Sequence, residues 1–480
     1  MHWAERIAEA LIHQHPSREE FHFASGTTPS GPVHCGNLRD ILTNWYVAQC
    51  LVERGKKVKL LQSWDDYDRF RKVPKGIPEE FSAHLGKPVA DVPDPGNEYP
   101  SYAARYEKIF ERSLTQLAIP LEYRYQAQMY REARYNAGIV EAISKRKQIF
   151  DILNDFRTEK GTDADREAYY VVEVYCPNCK RDTTKMTHFD EATMDFAYRC
   201  KCGNEGSGNA HTATNLKLPW KVDWPMRWRH EEVIFEPGGK DHGTAGGSYE
   251  VACRISREVF NHEPPMFQVY EFVGIKGTVG KMSGSTGSVI TLDEALEIYQ
   301  PEVLLWVFAR LAPNRAFDLV LDRQIFQTYD EYDRAAAAPV SEDVERKAVD
   351  LSHVGDRRVY PVSFRQLASF SGIVRGNRDA MESILTRTGT PSPQAEFTER
   401  LTKAENWLKK WAPEEDVRLV DAPRADYAAS LTPERREWIA KLAAWIDATD
   451  ITLENATERL YAIPQEGSDG SDQKARDRKS

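Results

Sequence analysis

The chain has 480 residues, more than one hydrophobic core ordinarily supports, so roughly two to four domains are expected. Hydrophobic residues make up 41%, charged residues 29%, and the formal net charge is −10. This is a globular composition with no overall basic field to announce a polyanionic partner, although a local basic stripe can sit on an acidic protein.

No run of ~18 apolar residues exists, so no membrane span is expected. The N-terminal Met1–Arg6 has no basic segment followed by an apolar stretch, as a secretory signal would. Of the seven cysteines, Cys35, Cys50 and Cys253 are scattered, whereas Cys176, Cys179, Cys200 and Cys202 cluster. That usage suits a reducing, cytoplasmic compartment with the cluster reserved for metal.

Residues 1–15 carry a short amphipathic helix. Phe21–Ala24 reads as a buried strand running into Ser25-Gly26-Thr27-Thr28-Pro29-Ser30-Gly31-Pro32, a string of turn formers. From Asn37, Leu38, Ile41, Leu42, Trp45, Ala48 and Leu51 recur at helical spacing, and Gly55 ends the helix. Val58–Leu61 is the next strand. Strand, turn, helix, strand is a βαβ unit, so the fold class is α/β with a Rossmann-like parallel sheet.

Residues 71–215 break that rhythm with a Pro/Gly-rich stretch, a helical run from Tyr99 to about Asp155 and the cysteine cluster. They read as an insertion. The α/β pattern resumes at Glu232-Val233-Ile234-Phe235, followed by Gly238-Gly239-Lys240-Asp241-His242-Gly243, a helix from Thr244 to Phe260 and a strand over Phe267–Val273. A helix at Glu302–Leu311 is stopped by Pro313, and from about 325 every pattern is helical. The expected organisation is two halves of one α/β domain (1–70 and 216–275) around the insertion 71–215. A loop-and-helix segment (276–325), an all-α domain (326–464) and a disordered tail (465–480) follow.

The segment Pro29–Asn37 puts His34 and Asn37 at the start of a helix that follows a strand. Unpaired N–H groups and partial positive charge there favour a phosphate. His34 and Asn37 add donors that tighten as charge builds on a transferring phosphorus, and Gly36 leaves room for a purine or ribose. In the alternative, Asn37 only caps the helix and His34 is a core residue. Gly280-Lys281-Met282-Ser283-Gly284-Ser285 is a Gly/Ser loop presenting one lysine to a polyphosphate leaving group. It is not a P-loop, because Ile275 stands where the first glycine belongs and Met282 where Ser or Thr must be. Each segment is weak alone; their order around an insertion makes a nucleotide constellation.

Cys176-Pro177-Asn178-Cys179 and Cys200-Lys201-Cys202 are two thiolate knuckles with the spacing of a structural Zn²⁺ site. Thr187–Tyr198 suits a hairpin between them, giving a zinc ribbon at 176–202. Four thiolates leave no open position for catalysis.

His34-Cys35-Gly36-Asn37 resembles the His-Ile-Gly-His signature of class I aminoacyl-tRNA synthetases, and Lys281-Met282-Ser283-Gly284-Ser285 resembles their Lys-Met-Ser-Lys-Ser. With Ser25–His34, Gly238–His242 and Trp64–Pro74, the chain is similar to class I lysyl-tRNA synthetases over about residues 1–330. The resemblance implies ATP-dependent activation of L-lysine to lysyl-adenylate and transfer to the 3′-terminal adenosine of tRNA(Lys), with Mg²⁺ and a structural Zn²⁺.

It implies catalytic roles for His34, Asn37 and Lys281, and ATP contacts from Pro29, Gly36, Ser283 and Ser285. It draws the amino-acid pocket from Gly26, Thr28, Trp220, His242 and Tyr270. A lysine ammonium also needs a carboxylate. Asp65, Asp66, Asp223 and Asp241 are near in sequence; Asp241, beside His242, is assigned to the pocket, and the sequence does not choose which of the four binds the ammonium. The helices of 276–325 are expected to contact the tRNA stem and those of 326–464 the anticodon, in a monomeric protein that binds tRNA before activation. Arginine and lysine mixed with aromatics in Met129–Lys147 and Trp224–His230 are candidate tRNA contacts. The rivals are a class I enzyme for glutamate and a non-catalytic tRNA-binding paralogue.

Overall fold

The structure is a computed structural model that describes residues 1–244, 246–277, 289–339, 344–355, 359–417, 422 and 424–466. Lys281, Ser283 and Ser285 lie outside the described residues, as does most of the expected tail.

Five parallel strands form the central sheet: β1 (Glu20–Thr27), β2 (Lys57–Trp64), β3 (Leu121–Tyr125), β4 (Val233–Gly239) and β5 (Met266–Tyr270). Their spatial order is β5-β4-β1-β2-β3. Helices cover both faces. Phe21 and Phe23 of β1 and Phe235 of β4 join the core that holds helix Leu38–Val52, while Val233 of β4 packs with Trp224, Trp228 and Ala252 on the other side. Every residue of β4 is consequently buried, the mark of an interior parallel strand.

One strand of this sheet was not expected. The helical run read from Tyr99 to Asp155 is four helices, Tyr102–Leu114, Gln126–Arg131, Asn136–Ser144 and Arg146–Asp155, with β3 after the first. Ala118 turns left-handed at φ 52° and Pro120 bars return to helix, after which Leu121, Tyr123 and Tyr125 alternate with Glu122 and Arg124. The span 71–215 therefore also supplies an edge strand to the central sheet. Two boundaries differ as well. Gly246 (φ 72°) and Gly247 delay the second-half helix to Ser248–Glu258. The strand expected through Val273 divides, and Val273–Ile275 pairs in parallel with Phe317–Leu319.

The cysteine region is a three-stranded antiparallel ribbon, Thr184–Phe189, Asp195–Cys200 and Glu205–Asn209, where a hairpin had been expected. Glu173–Val174 pairs with Leu216–Lys217 at its neck. From Ile325 to Ala462 the described residues are helical between connections. Arg400, 1% exposed, ties this bundle to what precedes it through Gln300 (2.7 Å) and binds Asp333 (2.7 Å) and the Val362 carbonyl (3.0 Å) within it. No helix among the described residues is long and apolar enough to cross a membrane.

Candidate active site

The strand order reverses between β1 and β4, so their carboxyl ends part and leave a crevice, the usual ligand position in an open α/β sheet. A cleft of about 480 Å³ occupies it. His34, Gly36 and Asn37 line one wall, Gly26 and Thr28 the end of β1, and Asp241, His242 and Tyr270 the ends of β4 and β5. Pro29 is buried beneath the same turn and is not part of the wall.

The signature turn is held by its own side chains. His34 Nδ1 accepts the Gly36 N–H at 3.1 Å, and Asn37 Oδ1 accepts the His34 N–H at 3.2 Å. An accepting Nδ1 puts the neutral ring's proton on Nε2, so the imidazole keeps a donor. Asn37 likewise spends its oxygen and keeps its amide donor. Asn37 thus caps the short turn Cys35–Asn37 reciprocally with His34, and makes no side-chain cap to the helix Leu38–Val52. The Cys35 N–H donates to the Ile290 carbonyl at 2.9 Å, the Cys35 thiol reaches the Thr291 carbonyl at 3.4 Å, and His34 bridges to Thr291. The residues that follow 278–288 are therefore fastened to the signature turn, while Val273, before it, lines the cleft.

The Gly238-Gly239 pair lets side chains approach the backbone closely, Gly238 most tightly. A Cβ at Gly238 would fall 2.2 Å from the Phe267 ring and one at Gly239 2.6 Å from Asp241 Oδ1.

A second chamber of about 740 Å³ shares Gly26, Thr28 and His242 with the cleft, and Trp220 lies on it. Arg71, Arg157 and Lys221 line it together with Phe156 and Tyr169. The stretches expected to offer basic and aromatic residues to tRNA are mixed, with Arg131 and Arg134 exposed and others packed inside. Tyr130, Arg146, Trp224, Arg227 and Trp228 are buried, and Arg131 and Arg229 are ion-paired with Asp91 and Glu141. Lys72, on the cleft, was also missed, though it lies in the quoted string Trp64–Pro74.

The acids sort by partner. Arg227 bridges Asp65 (2.6 Å) and Asp223, and Lys217 reaches Asp223 at 2.5 Å. Burial pushes the Asp223 carboxyl up, but Arg227 and Lys217 outweigh it and bring it down to about 2. Asp66 accepts the Ala127 N–H at 2.7 Å; burial raises it to about 7. Asp66 and Asp223 are engaged in packing the sheet against the insertion, whereas Asp65, though paired with Arg227, also lines the second chamber. Asp241 remains at the cleft.

Asp40, in the first turn of helix Leu38–Val52, had given no sign in the sequence because it reads as an ordinary helix N-terminal acid. Its Oδ2 accepts the Gly26 N–H at 3.2 Å, and its buried Oδ1 has no hydrogen-bond partner among the described residues. Burial, with the nearby Glu236 carboxyl, holds its pKa well above the usual range.

In the ribbon, the Sγ atoms of Cys176, Cys179, Cys200 and Cys202 lie within 4.8 Å of one another, with Cys176–Cys202 at 3.8 Å and Cys179–Cys200 at 3.6 Å. A tetrahedron with Zn–S of about 2.3 Å has edges of about 3.8 Å, so the four thiols fit such an ion.

Residues 1–356 match the family model described as tRNA synthetases class I (K). The chain is 36% identical over 466 residues to the lysine–tRNA ligase of Thermococcus kodakarensis, covering 93% of this chain and 88% of that protein. It is 36% identical over 483 residues to that of Borreliella burgdorferi, covering 97% and 91%. Among solved structures, the Mycobacterium tuberculosis methionyl-tRNA synthetase bound by methionyl-adenylate aligns at a TM-score of 0.39 and 10% identity over 82% of this chain and 84% of that one. With the family model spanning most of its length and these relatives nearly all of it, the chain belongs to the class I lysyl-tRNA synthetases.

Proposed function

We propose that the chain is a lysine–tRNA ligase that activates L-lysine with ATP and transfers it to the 3′-terminal adenosine of tRNA(Lys). The lysine carboxylate attacks the α-phosphorus of ATP in line, giving lysyl-adenylate and pyrophosphate. His34, through Nε2–H, and Asn37, through its amide, donate to phosphate oxygens as charge grows there. Gly36 lets the nucleoside approach the turn, and Lys281 is assigned to the departing pyrophosphate, with Ser283 and Ser285 shaping its loop. Mg²⁺ bound with the nucleotide would neutralise charge on its phosphates. A terminal ribose hydroxyl of tRNA then attacks the adenylate carbonyl and AMP leaves.

The observation that carries the choice of lysine is Asp40. A buried carboxyl with an unused oxygen, behind Gly26 and near Tyr270, whose phenol burial and Asp40 together push up, gives up its proton as an ammonium binds and then supplies the opposing charge. Trp220 and His242 wall the aliphatic stem, and Thr28 and Asp241 complete the polar rim. The same charge opposes a glutamate side chain.

The second chamber suits the unpaired 3′ end of tRNA, with Phe156 and Tyr169 for stacking and Arg71, Arg157 and Lys221 for phosphates. The helices of 326–464 are assigned to the anticodon arm, and the four ribbon cysteines to a structural Zn²⁺. Pyrophosphate exchange with each of the twenty amino acids, with and without total tRNA, tests the reading. Exchange with lysine alone is expected; exchange with glutamate or with no amino acid refutes it.

A further inference from the structure

Trp220, Trp224 and Trp228 stand one turn apart on helix Trp220–Glu231 and so share a face. Trp220 stacks on Trp224 with ring centroids 4.9 Å apart and planes at 18°. His242 meets Trp224 edge-on at 5.8 Å. The two residues that wall the amino-acid pocket from the second half of the fold thus rest on the same indole. That indole is pinned from β4: Glu236 Oε1 accepts Trp224 Nε1–H at 3.0 Å, and Oε2 accepts Trp228 Nε1–H at 2.6 Å. One carboxylate therefore fixes both the rotation of the helix and its position along the strand. On the other side, the Arg227 guanidinium lies 5.6 Å from the Trp220 ring centre and is itself held by Asp65 and Asp223.

We infer that Glu236 is a positioning residue for amino-acid binding: by bonding Trp224 and Trp228 it sets the attitude of Trp220 and His242 toward the substrate side chain. The inference rests on the lysine reading of this pocket. Glu236 touches no substrate, and two oxygens with two indole donors leave it no role in the phosphate chemistry.

The arrangement also makes the pocket sensitive to protons. Burial pushes the Glu236 carboxyl up to about 7, against the pull of the two indoles and Arg227, with Asp65 adding to the rise. Among the described residues, Asp40 from helix Leu38–Val52, Tyr270 from β5 and Tyr249 from helix Ser248–Glu258 also face it. A protonated carboxyl loses one of its two acceptors, and an indole is released.

Glu236→Gln keeps the volume but can accept from only one indole. In tRNA-supported pyrophosphate exchange we expect KM for lysine to rise about tenfold at pH 8, with kcat within about twofold and KM for ATP unchanged. In the unsubstituted protein KM for lysine should rise as pH falls through about 7, and in the Gln variant, where Asp40 still titrates, that rise should be smaller. Trp224→Phe, which removes the donor together with part of the ring packing, should raise KM for lysine at least as much, and the double variant should be no worse than Trp224→Phe alone.

A lowered Tm with KM for lysine unaltered, an equal rise in KM for ATP, or additive effects would each overturn the inference. If another amino acid is activated, the lysine reading fails and Glu236 is judged on that amino acid's KM. If none is, tryptophan emission decides. It should shift near pH 7 in the unsubstituted protein and not in the Gln variant; a pH-independent emission in both defeats the proposal.

Discussion

Asp40→Asn separates binding from folding in one substitution. Asparagine keeps an oxygen for the Gly26 N–H, which the carboxylate accepts at 3.2 Å, and removes the charge from a group whose second oxygen is buried without a hydrogen-bond partner among the described residues. Breaking a buried ammonium–carboxylate pair by removing one member costs about 3 kcal/mol at the low end, so kcat/KM for lysine should fall by roughly two orders of magnitude. Stability should move the other way. Asp40 has a folded pKa above its unfolded value, so the native state binds more protons between the two, and stability declines as pH rises through that interval. Removing the titrating group abolishes the decline, and the variant should be at least as stable as the parent at pH 7. Steady-state exchange kinetics across lysine concentration, paired with thermal melts at several pH values, measure both. A kcat/KM within threefold of the parent, or a loss of stability at pH 7, would show that Asp40 is a structural acid.

Three further outcomes follow from the same geometry. His34→Ala should lower kcat for exchange by about 10²-fold, as expected for a lost transition-state donor, while KM for lysine stays put; a pure KM effect would contradict the assignment. Asp223→Asn leaves Arg227 and Lys217 buried with one anion fewer and should destabilise by about 3–5 kcal/mol, read as a lowered denaturant midpoint. Because the folded Asp223 titrates at about 2, below its unfolded range, its contribution is present above about pH 4 and is lost as pH falls toward 2. Cys176→Ser should reduce zinc content and melting temperature together; unchanged metal stoichiometry would remove the ribbon site.

The sequence by itself determined the α/β class, the signature turn and the four-cysteine ribbon. These rest on local order: a run of turn formers, a helix start and two thiolate pairs keep their meaning wherever the chain goes. It could not show β3, because five alternating residues after Pro120 look like a pause in a helical region until β2 pairs with them. Nor could it choose the acid. Asp65, Asp66 and Asp223 look available in a string of letters, and only the packed structure gives them Arg227, Lys217 and the Ala127 N–H. Asp40 and Glu236 look like a helix-start acid and a strand acid, and only the fold sets the first against the Gly26 N–H and the second against two indoles. A carboxylate's role is set by which donors share its burial. Those donors come from strands and helices remote in sequence, so only tertiary structure could decide it.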